Sequence, residues 1–214
     1  MESAPHYFSN YGFIVKDLPK ELLDKIKQEV SAILNDNKNN NEILVSGLSG
    51  KPFHNEGGVP IHYYLKESYD DISKFILECV KDFEDEFDYF STINLLNSDL
   101  PLFVDRPWVN FQKKTEFVPS HIHDGILSYT FWIQIPYDIT EEMGNGNHCG
   151  TFYFDYTSII GTSRQHKIPI DKSYEGKCMM FPSTLKHTVY PFYTSDELRI
   201  SVSGNVKLNA LNTG

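Results

Sequence analysis

The residues with the clearest potential for chemistry lie in two segments of the second half of the chain. The first segment contains His121 and His123, one residue apart. Side chains alternate between the two faces of a strand, so imidazoles at this spacing would project from one face. The second segment begins at His187, whose imidazole could complete a three-ligand metal site. These three histidines are therefore candidate metal ligands.

A carboxylate-binding group is predicted close to the same site. Arg199 follows His187 along the chain and begins an alternating run. Period-2 alternation would turn the polar members of this run inward together, namely Arg199, Ser201, Ser203 and Asn205. The guanidinium offers a planar fork of donors to a carboxylate, and the Ser201 hydroxyl offers one more donor. The pattern predicts a carboxylate receptor beside a metal.

Other polar residues give weaker signals. Asn110 and Gln112 share a strand face with Trp108, so they either line a pocket or make hydrogen bonds at its rim. His148 and Cys149 could form a soft-metal pair, but they have no matching partner and are better interpreted as loop residues. The remaining histidines lack ligand spacing and are interpreted as surface or core residues: His6, His54, His62 and His166.

The composition limits the class of protein. With 214 residues, the chain has the length of one domain over 1–214, with a helical part at about 1–90 and a β-rich core at about 91–208. The 29 acidic residues exceed the 19 basic ones, for a formal net charge of −10. Because this charge repels a phosphate backbone, we expect a small-molecule or peptide partner rather than nucleic acid.

The cysteines and the apolar segments indicate the compartment. The three cysteines, Cys79, Cys149 and Cys178, show no paired spacing, and the first residues lack the pattern of a secretory signal. No apolar stretch has the length needed to cross a bilayer. We therefore expect a soluble protein in a reducing cytoplasm.

Two segments of the first half have helical periodicity. After Asp17 and Pro19, apolar residues recur at helical spacing over 22–34, and the polar segment 35–41 predicts a loop that ends this helix. Ser68 and Asp71 have the pattern of a capping box, and a second apolar stripe follows over 72–87. Both stripes predict faces that pack against the core.

From about residue 92 the pattern changes to short β-prone runs separated by turn residues. The predicted strands include 108–112, 127–135, 151–156, 177–181 and 197–206. Two helices followed by about seven or eight short strands indicate an antiparallel jelly roll with the helices on its outer face. The loops 42–60 and 140–150 are expected at the mouth of the barrel, where they would select the substrate.

Four segments of the chain resemble the 2-oxoglutarate and iron(II)-dependent oxygenases. They are Trp108–Gln112, His121–Gly125, Phe181–His187 and Arg199–Asn205. The resemblance covers roughly residues 105 to 207, and its most specific part is the order of His187, Arg199 and Ser201. Within that family, the chain most resembles members encoded by bacteriophages of cyanobacteria, which is an expectation from these motifs.

This resemblance implies a mainly β, cupin-like double-stranded β-helix with Fe(II) as the metal and 2-oxoglutarate as the cosubstrate. The implied enzyme is a dioxygenase that couples oxidative decarboxylation of 2-oxoglutarate to hydroxylation of a small molecule or peptide. Arg199 and Ser201 would then bind the far carboxylate of the cosubstrate, Asn110 and Gln112 would lie near it, and Trp132 would shield the metal centre. A phage-encoded protein would act in the host cytoplasm.

The third metal ligand has two candidates. The family usually presents His-x-Asp, whereas this chain has Ile122 two residues before Asp124. One set consists of His121, His123 and His187, which fits strand alternation. The other replaces His123 with Asp124, whose carboxylate would return to the metal through the turn that follows. Strand alternation favours the three-histidine set, and Asp124 would then accept a hydrogen bond from an imidazole.

Two other functions fit the same residues. The chain could be a binding or virion-associated module that keeps the jelly roll without turnover. It could also be a three-histidine cupin-type dioxygenase that does not use 2-oxoglutarate. In that enzyme Arg199 would bind the carboxylate of the substrate directly.

Overall fold

The structure is a computed structural model that describes residues 11–39, 63–93 and 102–208. Within these ranges the helices are α1 (Lys20–Asn39), α2 (Tyr69–Phe87), α3 (Tyr89–Thr92) and α4 (Ile139–Asn145), with a 3₁₀ turn at Lys172–Tyr174. The strands are β1 (Ile14–Asp17), β2 (Tyr63–Tyr64), β3 (Leu102–Val104), β4 (Trp108–Gln112), β5 (Val118–His121), β6 (Leu127–Gln134), β7 (Thr151–Thr157), β8 (Ser163–Pro169), β9 (Lys177–Pro182), β10 (Lys186–Val189) and β11 (Arg199–Leu208).

The strands form two antiparallel sheets that face each other. The larger sheet has the order β1-β9-β6-β11-β4-β2, with β3 also paired to β11, and the smaller sheet has the order β5-β10-β7-β8. An apolar core that includes Trp132, Phe152, Phe154 and Phe181 fills part of the space between the sheets. This is the predicted double-stranded β-helix, and the five predicted strands all form within about two residues of their expected ends.

Helices α1 and α2 cover the outer face of the larger sheet, as the two apolar stripes predict. Leu22, Ile26 and Val30 of α1 are buried in one cluster with Phe75 and Phe83 of α2 and with residues of the sheet. Each such side chain stabilises the fold by about 1.5–3 kcal/mol through its removal from water. The helices therefore bury the outer face of the larger sheet.

The start of α2 differs from the predicted capping box. Ser68 has helical dihedral angles and caps no helix N–H with its side chain. Its hydroxyl instead donates to Glu29 of α1 at 2.7 Å, and the Glu29 carboxylate also accepts from the backbone N–H groups of residues 66–68. Asp71 pairs with Lys25 at 2.6 Å. A tertiary carboxylate therefore replaces the local cap.

Two predicted loops are partly helical. Helix α1 continues through Asn39, although the segment 35–41 was expected to end it, because each asparagine costs only a fraction of a kcal/mol once a helix propagates. The segment 140–150 begins within α4, where the Asp138 carboxylate accepts from the N–H groups of Thr140 and Glu141. The predicted loop 42–60 lies outside the described residues.

None of the helices in the described ranges has the length and apolar character required to cross a membrane.

Candidate metal centre

Three imidazoles converge between the two sheets. His121 is the last residue of β5 and lies opposite His187 of β10 in the antiparallel register. His123 lies two residues beyond the end of β5. One ligand atom from each of the three histidines lies within 4.8 Å of the other two. In the described part of the chain, this is the only group of three or more His, Cys, Asp or Glu residues that converges in this way.

Hydrogen bonds to backbone carbonyls define the tautomers of two of these rings. Nδ1 of His121 lies 2.8 Å from the carbonyl oxygen of Pro119, and Nδ1 of His187 lies 3.0 Å from that of Leu185. A carbonyl oxygen only accepts, so each Nδ1 carries the hydrogen and each Nε2 presents a lone pair. Nε2 of His187 lies 3.2 Å from Nε2 of His123. The His187 lone pair therefore accepts from Nε2–H of His123, and the two nitrogens meet at one position.

Burial keeps these imidazoles neutral. Desolvation, and then the neighbouring His121, lower the pKa of His187 to about 3. The same two causes lower the pKa of His123 to about 4, and burial lowers the pKa of His121 below its ordinary value. The neutral form is the one that binds a metal, and imidazole is a ligand suited to iron and other transition metals. The donor set therefore fits a metal held from one side.

Asp124 points away from the three histidines. Its side chain is 97% exposed, and its carboxylate lies 3.6 Å from the ammonium group of Lys207. It forms neither of the contacts predicted for it, since it does not join the histidine group and none of the imidazoles in the described ranges donates to it. The physical reason is that β5 ends at His121, so strand alternation does not govern residues 123 and 124.

The Arg199 guanidinium is buried, with 3% of the residue exposed. Its Nε and Nη2 donate to Oε1 of Gln112 at 2.9 and 2.5 Å, Nη2 also donates to the carbonyl of Tyr190, and Nη1 donates to the hydroxyl of Tyr137. Acceptors among the described residues therefore occupy most of the N–H groups, and the donor without such a partner is on Nη1. This corrects the expectation of a free two-pronged fork.

No carboxylate of the described ranges forms an ion pair with Arg199, because the salt bridges found there join other residues. A buried cation without a counter-charge is unfavourable in a protein interior. Its neutral hydrogen-bond partners and the faces of the Tyr137 and Phe192 rings stabilise the guanidinium without neutralising its charge. The position therefore favours an anionic ligand.

Gln112 and Tyr137 support the guanidinium from two sides. The Gln112 amide donates to the carbonyl of Glu116 at 2.5 Å while its oxygen receives Arg199. The Tyr137 hydroxyl accepts from Arg199 and donates to the carbonyl of Gly150 at 3.1 Å. Burial raises the pKa of Tyr137, although Arg199 opposes this shift. Tyr137 carried no sequence signal, because it follows the strand β6 rather than lying in an alternating run.

The inward face of the larger sheet continues from Arg199 toward the histidines as a row of neutral polar groups. Ser201, Ser203 and Asn205 all line the cavity, as alternation predicts. The Asn110 amide donates to Ser203 at 2.9 Å and to Ser201 at 3.4 Å. Trp132 is 3% exposed and borders the same cavity. The cavity has a volume of about 580 Å³ and also holds the three imidazoles and Arg199.

The other histidines of the described ranges lie apart from this group. His148 packs between Tyr153 and Tyr190, with ring centroids 5.1 and 5.0 Å away. His166 packs on Phe13. His6, His54 and His62 lie outside the described residues.

The family model described as 2OG-Fe(II) oxygenase matches residues 106–205 of this chain. The match spans slightly less than half of the chain and includes the histidine group, Arg199 and the polar row between them. Fe(II) and 2-oxoglutarate are the cofactors of that family, and the matched segment supplies a three-histidine group for the metal. A search of the curated proteins gives no match.

Solved structures share the fold at low sequence identity. A prolyl-4-hydroxylase from Pseudomonas putida has a TM-score of 0.51 and 12% identity, covering 92% of each chain. AviO1 from Streptomyces viridochromogenes has a TM-score of 0.56 and 10% identity over 94% of this chain and 91% of that one. SnoK, a carbocyclase from nogalamycin biosynthesis, has a TM-score of 0.51 and 9% identity over 94% and 80%. At identities this low, the structural similarity shows a shared fold and nothing further.

Proposed function

We propose that this protein is a 2-oxoglutarate- and Fe(II)-dependent dioxygenase that couples oxidative decarboxylation of 2-oxoglutarate to hydroxylation of a small molecule or peptide. One observation carries the proposal. Three neutral imidazoles and a buried guanidinium without a carboxylate partner face the same cavity. A metal-binding group and an anion-binding group in one pocket fit a cosubstrate that chelates a metal and carries a second carboxylate.

His121, His123 and His187 are the proposed ligands of Fe(II). Bound Fe(II) supplies the activation of dioxygen, and the protein supplies placement of the reactants and exclusion of water. Three neutral ligands leave the whole charge of the cation to attract the dianionic cosubstrate. Three protein ligands would also leave room in the coordination shell of Fe(II) for the cosubstrate.

Arg199 and Ser201 are the proposed receptor for the far carboxylate of 2-oxoglutarate. The Arg199 charge lacks a counter-ion among residues 11–39, 63–93 and 102–208, so a carboxylate ligand there would replace an unfavourable state with an ion pair. The open donor on Nη1 and the Ser201 hydroxyl can each donate one hydrogen bond. Arg199 and Ser201 lie two residues apart on one face of β11, a separation of about 7 Å along a strand. They can therefore contact one small ligand.

Gln112 and Tyr137 would hold the guanidinium in place, and Asn110 would orient the hydroxyls of Ser201 and Ser203. Gln112 is therefore proposed as a positioning residue for Arg199 rather than as a direct contact of the cosubstrate, because its side-chain oxygen already accepts from Arg199. Trp132 packs edge-on against Phe152 at 6.4 Å. These two rings would exclude water from one side of the bound cosubstrate.

Addition of Fe(II) and 2-oxoglutarate without oxygen tests the proposal. Chelation of the pair should produce a metal-to-ligand charge-transfer absorption band, and admission of air should release succinate. A band without succinate in a screen of small molecules and peptides would indicate a binding module without turnover. Iron binding with no band would favour a three-histidine dioxygenase that does not use 2-oxoglutarate.

The proposal also includes the domain organisation and the cellular location of the protein. We propose one domain, with helices α1 and α2 as the support of the β-helix, and a cytoplasmic location that is the host cytoplasm if a phage encodes the chain. The buried cysteines of the described ranges, Cys79, Cys149 and Cys178, are free thiols, which supports a reducing compartment. Similarity to phage-encoded members of the family remains a prediction.

A further inference from the structure

A chain of buried hydroxyl and amide groups lies beside the loop that carries His123. Ser128, Ser183 and Asn205 are 1%, 0% and 7% exposed. The Ser128 hydroxyl donates to Oδ1 of Asn205 at 2.8 Å and lies 2.9 Å from the Ser183 hydroxyl. Ser128 has one hydrogen, so Ser183 must be the donor to Ser128. The direction of the whole chain is thereby fixed.

Ser183 also clamps the loop through its backbone. Its carbonyl accepts from the N–H group of His123 at 2.9 Å, and its N–H group donates to the carbonyl of Ile126 at 3.1 Å. The N–H group of Ile126 donates in turn to the carbonyl of Val206. The loop between β5 and β6 is therefore bound at both ends, by the β9–β10 turn and by β11.

Gly125 allows this close approach. Its φ is +151°, and an added Cβ would lie 3.0 Å from the carbonyl oxygen of Val206 and 3.2 Å from the Ser183 hydroxyl. Any larger residue would have to push the loop away from both groups. The loop therefore packs directly on the hydroxyl chain.

The β9–β10 turn contacts a second ligand as well. Leu185, two residues after Ser183, accepts from Nδ1 of His187. One short turn thus orients His187 through the Leu185 carbonyl and His123 through the Ser183 carbonyl. Groups that orient the ligands of a metal commonly change its affinity by about 10- to 100-fold when they are removed.

We infer that Ser183, Ser128 and Asn205 are positioning residues that hold His123 at the metal centre and leave Asp124 in solvent. This inference rests on the proposed function. A buried hydroxyl chain is not needed to fill space, since apolar side chains of similar volume would do so without desolvation of polar groups. The chain instead fixes the only proposed ligand that lies outside a strand.

Binding of Co(II), used as a probe for Fe(II), tests the inference. Its affinity is measured by the absorption of the bound ion, and the melting temperature of the metal-free protein is measured beside it. We expect Ser183→Ala and Ser128→Ala to weaken Co(II) binding by about 10-fold. Ser68→Ala is the matched control, because Ser68 is also fully buried and hydrogen-bonded but lies between α1 and α2. It should lower the melting temperature without changing the Co(II) affinity.

The outcomes separate this inference from the proposed function. If the wild-type protein binds Co(II) and both variants bind it within about twofold of the wild type, the positioning role is wrong while the metal centre stands. If Ser68→Ala weakens Co(II) binding as much as the other two, the effect is one of general stability and the inference is also wrong. If the wild-type protein binds no Co(II), the proposed metal centre itself fails.

Discussion

Nε2 of His187 lies 3.2 Å from Nε2 of His123, although 64 residues separate the two along the chain. The His187 nitrogen presents a lone pair, since its Nδ1 donates to a carbonyl. In the metal-free protein, Nε2–H of His123 donates to this lone pair, and a metal bound between the rings would replace that hydrogen. Because His121 offers a third nitrogen within 4.8 Å, a metal is the occupant that all three rings could share.

Metal binding should therefore stabilise the fold. At a free Fe(II) concentration of about 100 times Kd, stability should rise by about 2.7 kcal/mol, because only the folded state assembles the site. Thermal unfolding with and without Fe(II), under nitrogen, measures this rise. His187→Ala should abolish it, while His148→Ala, a histidine outside the group, should keep it. An unchanged melting temperature of the wild-type protein would contradict the site.

Substitution of Asp124 and substitution of His123 should have very different effects on the iron content of the protein. Asp124→Ala removes an exposed carboxylate and a long ion pair with Lys207, so stability should change by less than about 1 kcal/mol. The iron content of the purified protein should stay at the wild-type level. His123→Ala should lose most of the iron. Loss of iron from Asp124→Ala, with His123→Ala still loaded, would assign the third ligand to the carboxylate.

Tyr137→Phe should weaken 2-oxoglutarate binding without removing the receptor charge. The change takes away the acceptor of the Nη1 hydrogen bond of Arg199, an interaction of about 0.5–1.5 kcal/mol. The Kd for 2-oxoglutarate, from titration of the charge-transfer band, should rise by up to about 10-fold. Arg199→Ala should raise it by more, since it removes the charge as well. Equal affinities in all three proteins would reject Arg199 as the receptor.

Gly204→Ala should destabilise the larger sheet. An added Cβ at position 204 would overlap the buried ring and hydroxyl of Tyr129 on β6, and overpacking of this kind commonly costs about 1–3 kcal/mol. Gly144→Ala is the control, because nothing lies within 4 Å of the new atom there. Chemical denaturation of both variants measures the difference. Similar stabilities would show that Tyr129 can move aside.

Glu29 should make stability depend on pH. Burial raises the pKa of its carboxyl, but the hydrogen bonds from Ser68 and the backbone N–H groups outweigh burial and hold the pKa below its ordinary value of 4.5. A depressed pKa contributes stability above the unfolded-state value that is lost as the pH falls through the folded-state value. The difference in unfolding free energy between wild type and Glu29→Gln should therefore be full near pH 7 and shrink below about pH 4.5. A difference that grows in acid would reverse the assignment.

Local sequence patterns predicted most of the helices and strands, because the spacing of apolar residues in a helix or strand depends only on residues near each other in the chain. The inward face of β11 follows from alternation alone, and so do the apolar stripes of α1 and α2. The groups that sequence reasoning missed act across long separations. Tyr137 contacts Arg199 across 62 residues, and Glu29 contacts Ser68 across 39. No periodicity links such pairs, so only the folded chain reveals them.

The sequence by itself determined the residue types of the site: two histidines, a third histidine far along the chain, and an arginine with inward serines. It also indicated the jelly roll that brings them together. Only the tertiary structure placed His123 rather than Asp124 beside the other imidazoles. Strand alternation does not apply beyond His121, where β5 ends. The choice between His123 and Asp124 therefore depends on two tertiary contacts. The His123 N–H group donates to the carbonyl of Ser183, and the exposed Asp124 carboxylate pairs with Lys207.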